Sequence, residues 1–101
     1  MILRSWHGHP LPGREADYLA FLKEVVFPEI RAVPGNRSAR ALRAVGGDGT
    51  ILVLTEWDDL ASVQAFAGVD STVAVVPKAA ESMLAEYDPR VRHFGLVLSQ
   101  E

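Results

Sequence analysis

The chain has 101 residues, of which 49% are hydrophobic and 23% charged, the composition of one globular domain over residues 1–101 and not of a disordered or fibrous protein. Ten Lys and Arg against thirteen Asp and Glu leave a net charge of −3, which gives no basic field for the phosphate contacts of nucleic-acid binding. The absence of cysteine removes disulfides, thiolate metal sites, iron–sulfur clusters and cysteine nucleophiles together.

Residues 2–7 alternate Ile2, Arg4 and Trp6 against Leu3, Ser5 and His7, and this period of two, ended by Gly8 and Pro10, predicts a first strand. Over 13–32, Tyr18, Leu19, Leu22, Val25, Val26 and Ile30 recur at spacings of three and four, the stripe of an amphipathic helix. Pro28 is expected to kink or restart that helix, and Pro34-Gly35 to stop it. Residues 36–45 mix Arg37, Arg40 and Arg43 with small apolar residues. They read as a solvated edge strand entering a hairpin at Gly46-Gly47-Asp48-Gly49.

TILVLTEW, residues 50–57, is the strongest strand in the chain and apolar on both faces, which suits a central position. Asp58 and Asp59 are suited to cap a helix whose Leu60, Val63, Phe66 and Ala67 form one stripe before Gly68. Residues 69–77 read as irregular, 78–86 as a short helix containing Met83 and Leu84, and 91–99 as a last strand.

The order β-α-β-β-α-β has one common compact solution, a ferredoxin-like split βαβ fold of the α+β class. Its antiparallel sheet has spatial order 4-1-3-2 and carries both helices on one face. A central strand apolar on both sides then leaves the second face to be covered, so a homodimer through the sheet face is expected. No apolar run approaches the roughly 20 residues of a membrane span, and MILRSWHGHP lacks a signal-peptide pattern, so no membrane partner and a cytoplasmic location are expected.

The opening ILRSWHG, the Pro34-Gly35-Asn36 turn, the segment TEWDDLASVQAFAG and the closing VRHF resemble the antibiotic biosynthesis monooxygenase superfamily of dimeric α/β-barrel proteins. The resemblance runs from Ile2 to about Val97. It implies a dimer with a pocket between sheet and helices in each subunit, and an activity drawn from a group that includes cofactor-free monooxygenases of polycyclic aromatics and haem-degrading enzymes. Haem-degrading members present an axial histidine on the second helix. Between Asp58 and Tyr87 this sequence has none, so no cofactor is expected.

An oxygenase without a cofactor needs a base near neutrality beside an apolar pocket for a small hydrophobic ligand. The histidines are His7, His9 and His93, and a last strand antiparallel to the first is expected to gather them at one end of the sheet. His93 or His7 is then the candidate base, with Trp6, Tyr18 and Phe66 shaping an aromatic pocket; a histidine bonded to backbone and aromatics filling the core is the competing reading. The resemblance places Trp57 in an active cavity, and a large core residue fits that position equally well. Strand polarity is expected to put Trp57 at the end opposite His93, about 15–20 Å away. No carboxylate stands at ligand spacing to the histidines, so no metal is expected. The reading is a cofactor-independent monooxygenase-like enzyme, and the alternative is a non-catalytic dimeric binding or interaction domain of the same fold.

Overall fold

The computed structural model describes all residues 1–101. The sheet is built on β1 (Ile2–Pro10). Along one side it pairs antiparallel with β3 (Ile51–Trp57), and β3 pairs in turn with β2 (Asn36–Arg43). Along the other side two short strands share it: β4 (Leu84–Tyr87) takes the end of β1 and β5 (Arg92–Gly95) takes its beginning. The order β2-β3-β1-β4, with β5 also on β1, is the expected antiparallel ferredoxin-like sheet.

Two expectations are corrected here. Residues 78–86 do not form one helix: helix stops after a single turn and Leu84–Tyr87 turns into strand. The last strand is Arg92–Gly95, not 91–99. The backbone at the open edge of β1 needs partners along its whole length. Pro89 has no N–H to give, so the edge is filled by two pieces with a turn at Asp88-Pro89-Arg90 between them, in which Asp88 accepts from the Arg90 amide at 2.9 Å.

One face of the sheet carries the helices. α1 (Glu15–Phe21) passes through a π-helical turn, Leu22–Val26, into α2 (Phe27–Arg31). The predicted break at Pro28 is therefore a widened turn, in which the Phe27 amide reaches back to Leu22 and the clash of a proline ring with the preceding turn is relieved. A spacing of four drifts about 40° per step around an α-helix. The π turn takes part of that drift back, which keeps Tyr18, Leu22, Val26 and Ile30 on one line facing the sheet. α3 (Leu60–Ala67) starts at Asp59, whose carboxylate accepts from the Ser62 amide at 2.9 Å, while Asp58 pairs with Arg37 instead. Residues 69–77 are irregular apart from a bridge between Val73 and Arg90, and α4 (Lys78–Glu81) closes the layer.

Residues directly opposite in an antiparallel pair share a face, so the registers sort the side chains. Arg4, Trp6, Val53, Thr55, Trp57 and His93 look toward the helices. Leu3, Ser5, His7, Leu42, Leu52, Leu54 and Phe94 look the other way, over which the chain places no helix. The core is in two parts, Tyr18, Leu22, Ile51, Ala80 and Leu84 at one end and Ile30, Trp57 and Val63 at the other.

Gly8 shows how closely the first part is fitted. A Cβ there would lie 2.8 Å from the Trp6 ring, which folds over it while its Nε1 donates to the Asp88 carbonyl at 2.7 Å. Gly8→Ala is expected to displace the indole and cost about 1–3 kcal/mol, the range for overpacking, measured as a lower urea midpoint with an unchanged slope.

Candidate active site

Between the two core parts, under the helices, the packing opens. The resulting pocket is small, with a cavity volume of about 90 Å³, and eleven of its fifteen lining residues are hydrophobic. Its floor is Arg4 and Trp6 of β1 with Val53 and Thr55 of β3; its roof is Tyr18, Leu22, Val26 and Ile30; Phe66, the 75–77 segment, Ala80 and Val91 close the sides. The three aromatics expected to shape a pocket, Trp6, Tyr18 and Phe66, all line it.

The residue that sequence reading missed is Arg4. Its side chain is 5% exposed and is held by backbone: Nη1 donates to the Ser71 carbonyl at 2.5 Å and Nη2 to that of Val73 at 3.2 Å. Nη1 also donates to His93 Nε2 at 3.0 Å, so the imidazole proton belongs on Nδ1. The guanidinium carbon lies 5.7 Å from the centre of the Phe66 ring. No carboxylate pairs with Arg4, and burial pushes its pKa down to about 10. His93 is pushed down as well, first by burial and then by the neighbouring Arg4 charge, which keeps it neutral at neutral pH. Burial raises Tyr18, whose hydroxyl stays protonated and donates to no protein group. Thr55, directly opposite Arg4 across β1 and β3, accepts from Trp57 Nε1 at 2.9 Å.

The expected gathering of the three histidines is corrected. Arg4 faces His93 and Gly8 faces Tyr87, so His93 lies at the beginning of β1 while His7 and His9 lie at its end. The last strand pairs with the start of β1 because β4 already occupies the rest. His7 is exposed and opposite Leu52 on the face without helices. His9 sits with Glu86 at 3.9 Å and Thr50 at 3.4 Å beside a shallow polar cleft. Nowhere do three His, Asp or Glu side chains come together as a metal site would need.

Trp57 is corrected in the same way. It pairs with Ile2, two residues from the Arg4–His93 pair, and the two side chains flank β1 at about 12 Å instead of occupying opposite ends. Trp57 does not line the pocket. Fully buried, it stacks on Phe66 at 5.5 Å between centroids and stands behind that ring as His93 stands behind Arg4.

Residues 8–88 match the family model for antibiotic biosynthesis monooxygenases. The chain belongs to this family. Among solved structures it resembles a mutant form of MhuD with two manganese protoporphyrin IX bound per active site, at 18% identity and a TM-score of 0.75 over 100% of this chain and 99% of that one. It also resembles NE2512 of Nitrosomonas europaea, a protein of unknown function, at 23% identity and 0.73 over 99% and 92%. Rv0793 of Mycobacterium tuberculosis gives 13% and 0.71 over 99% and 98%. At these identities the likeness is one of fold. No curated protein matches the chain.

The lowered pKa of His93 makes stability depend on pH. Below the ordinary value of about 6.5 the unfolded chain takes up a proton that folded His93 refuses, so stability falls as pH drops through that value and levels off below the folded pKa. The urea midpoint is expected to fall between about pH 8 and about pH 5.5, and to fall less in His93→Gln.

Proposed function

We propose that this member of the family is a cofactor-independent monooxygenase-like enzyme whose substrate is a hydrophobic, aromatic small molecule held between the sheet and the helices. The observation that carries this reading is the pocket itself: apolar walls that include Trp6, Tyr18 and Phe66, with a few convergent polar groups. The chemistry needs no added reductant if the substrate holds an activated methylene between hydroxylated rings. Loss of a proton leaves an electron-rich carbanion that reduces dioxygen. One oxygen atom becomes a ring carbonyl and the other leaves as water, so CH2 and O2 give C=O and H2O. His93, kept neutral behind Arg4, is the basic group next to the pocket and the candidate for that proton, which it can take only when its Nε2 is released from the Arg4 Nη1–H. Trp57 acts by fixing the Phe66 ring. His7, on the other face, is given no part.

MhuD holds a metalloporphyrin, and this pocket does not fit one in the same way. No histidine occurs between residues 10 and 92, and the Nε2 of His93 is already taken by Arg4. A second reading, a non-catalytic small-molecule binding domain, is favoured by one observation: no histidine lines the pocket. Oxygen-electrode measurements with a hydroxylated anthrone separate the two. The enzyme consumes one equivalent of oxygen and loses most of its rate in Phe66→Ala; binding without oxygen uptake supports the second reading.

The functional unit proposed is a homodimer packed through the helix-free sheet face, where Leu42 and Phe94 are exposed beside Leu3, Leu52 and Leu54. Light scattering is expected to give twice the chain mass for the wild type, and Leu54→Glu is expected to shift it to monomer.

A further inference from the structure

The polar groups of the pocket are unbalanced. Arg4 has five N–H bonds and spends three, two on Nη1 and one on Nη2, leaving its Nε–H and one Nη2–H without a protein acceptor. The Tyr18 hydroxyl is likewise unspent, and the Thr55 hydroxyl, having accepted from Trp57, still has its proton to give. Against these donors the lining offers a single acidic side chain, Glu29, exposed where solvent screens it. His93, the other titratable group in contact with Arg4, brings no negative charge in either protonation state.

An arginine that is only 5% exposed and has no carboxylate partner is costly to keep. Two backbone carbonyls and the face of Phe66 solvate it in part, but neither carries a full negative charge. Holding the 71–73 segment in place asks only for hydrogen bonds, which a neutral side chain supplies at lower cost; it does not account for a cation, nor for the unspent N–H bonds beside an apolar pocket.

We propose that the pocket binds its ligand as an anion, an aromatic phenolate, enolate or carboxylate whose oxygen is received by Arg4 with the Thr55 hydroxyl beside it. This rests on the aromatic pocket proposed above and narrows it. A neutral aromatic of the same shape leaves the guanidinium unpaired. An anion supplies the missing charge in a site of low dielectric, where a charge-assisted hydrogen bond is strongest. Arg4 is thereby both binding and specificity residue: it lowers the energy of the deprotonated ligand relative to its neutral form.

The test uses two probes of one shape, 2-naphthoate and 2-naphthamide, titrated by calorimetry into the wild-type protein, Arg4→Gln and Thr55→Val. The wild type is expected to prefer the carboxylate by about tenfold or more, the scale of a charged hydrogen bond. In Arg4→Gln that preference disappears while the amide still binds, and in Thr55→Val it shrinks. Equal affinity of the wild type for both probes overturns the proposal and leaves the aromatic pocket standing. A preference that survives Arg4→Gln overturns the assignment to Arg4. Failure of both probes to bind overturns the aromatic pocket and this inference with it. The wild-type ratio depends on no variant, so a poorly folded Arg4→Gln does not decide the result.

Discussion

A guanidinium buried in the middle of a sheet has to be solvated by the protein, and the way Arg4 is solvated organises one side of this molecule. Its Nη1 and Nη2 take the carbonyls of Ser71 and Val73, which adds a side-chain anchor to an irregular segment otherwise held by backbone bonds to residues 89–91. Its contact with His93 joins β5 to the same point, and Phe66 lies across it from α3. β1, α3 with the 71–73 segment that follows it, and β5 thus meet on one charge. Since breaking a buried charge from its partners is far costlier than never burying it, the arrangement is a constraint on everything packed around it.

The pocket follows from that constraint and from the helix opposite. Trp57 and Phe66 stack behind Arg4 on one flank, while Trp6, folded over Gly8 and 6.1 Å from Tyr87, closes the other. Between them the π turn holds Tyr18, Leu22, Val26 and Ile30 in line above the sheet. Large side chains on both flanks keep the layers apart, and the gap they leave is walled by apolar atoms with donors at its floor. Wide turns of this sort are frequent at functional sites, and here the turn contributes two of the lining residues, Leu22 and Val26.

Much of the fold was legible in the sequence, and so were the pocket aromatics. TILVLTEW needed cover on both faces, the three-and-four spacing of the first helix named its buried side, and Asp59 and Gly68 marked the limits of α3. Period-two alternation put Arg4 and Trp6 on the same side of β1, but composition makes an arginine on a strand read as surface. Only contacts from residues 67 and 69 positions away make it a buried one. The histidine grouping failed for a related reason. Alternation identifies a strand and its faces, yet says nothing of which stretch of its neighbour it pairs with.

What the amino-acid sequence by itself determined, then, is the local grammar: where strands and helices form up to the end of α3, which faces are apolar, and that one sheet face is left without helices. These depend on residue spacing and on turn chemistry, which act over a few residues. The tertiary structure decided the rest: that Leu84–Tyr87, expected as helix, becomes β4 on the edge of β1 next to β5, that His93 therefore stands beside Arg4 while His7 and His9 stand apart, and that Trp57 backs the pocket without lining it. Strand register and the partners of a buried charge are set by hydrogen bonds between distant segments, and no pattern within a single segment carries them.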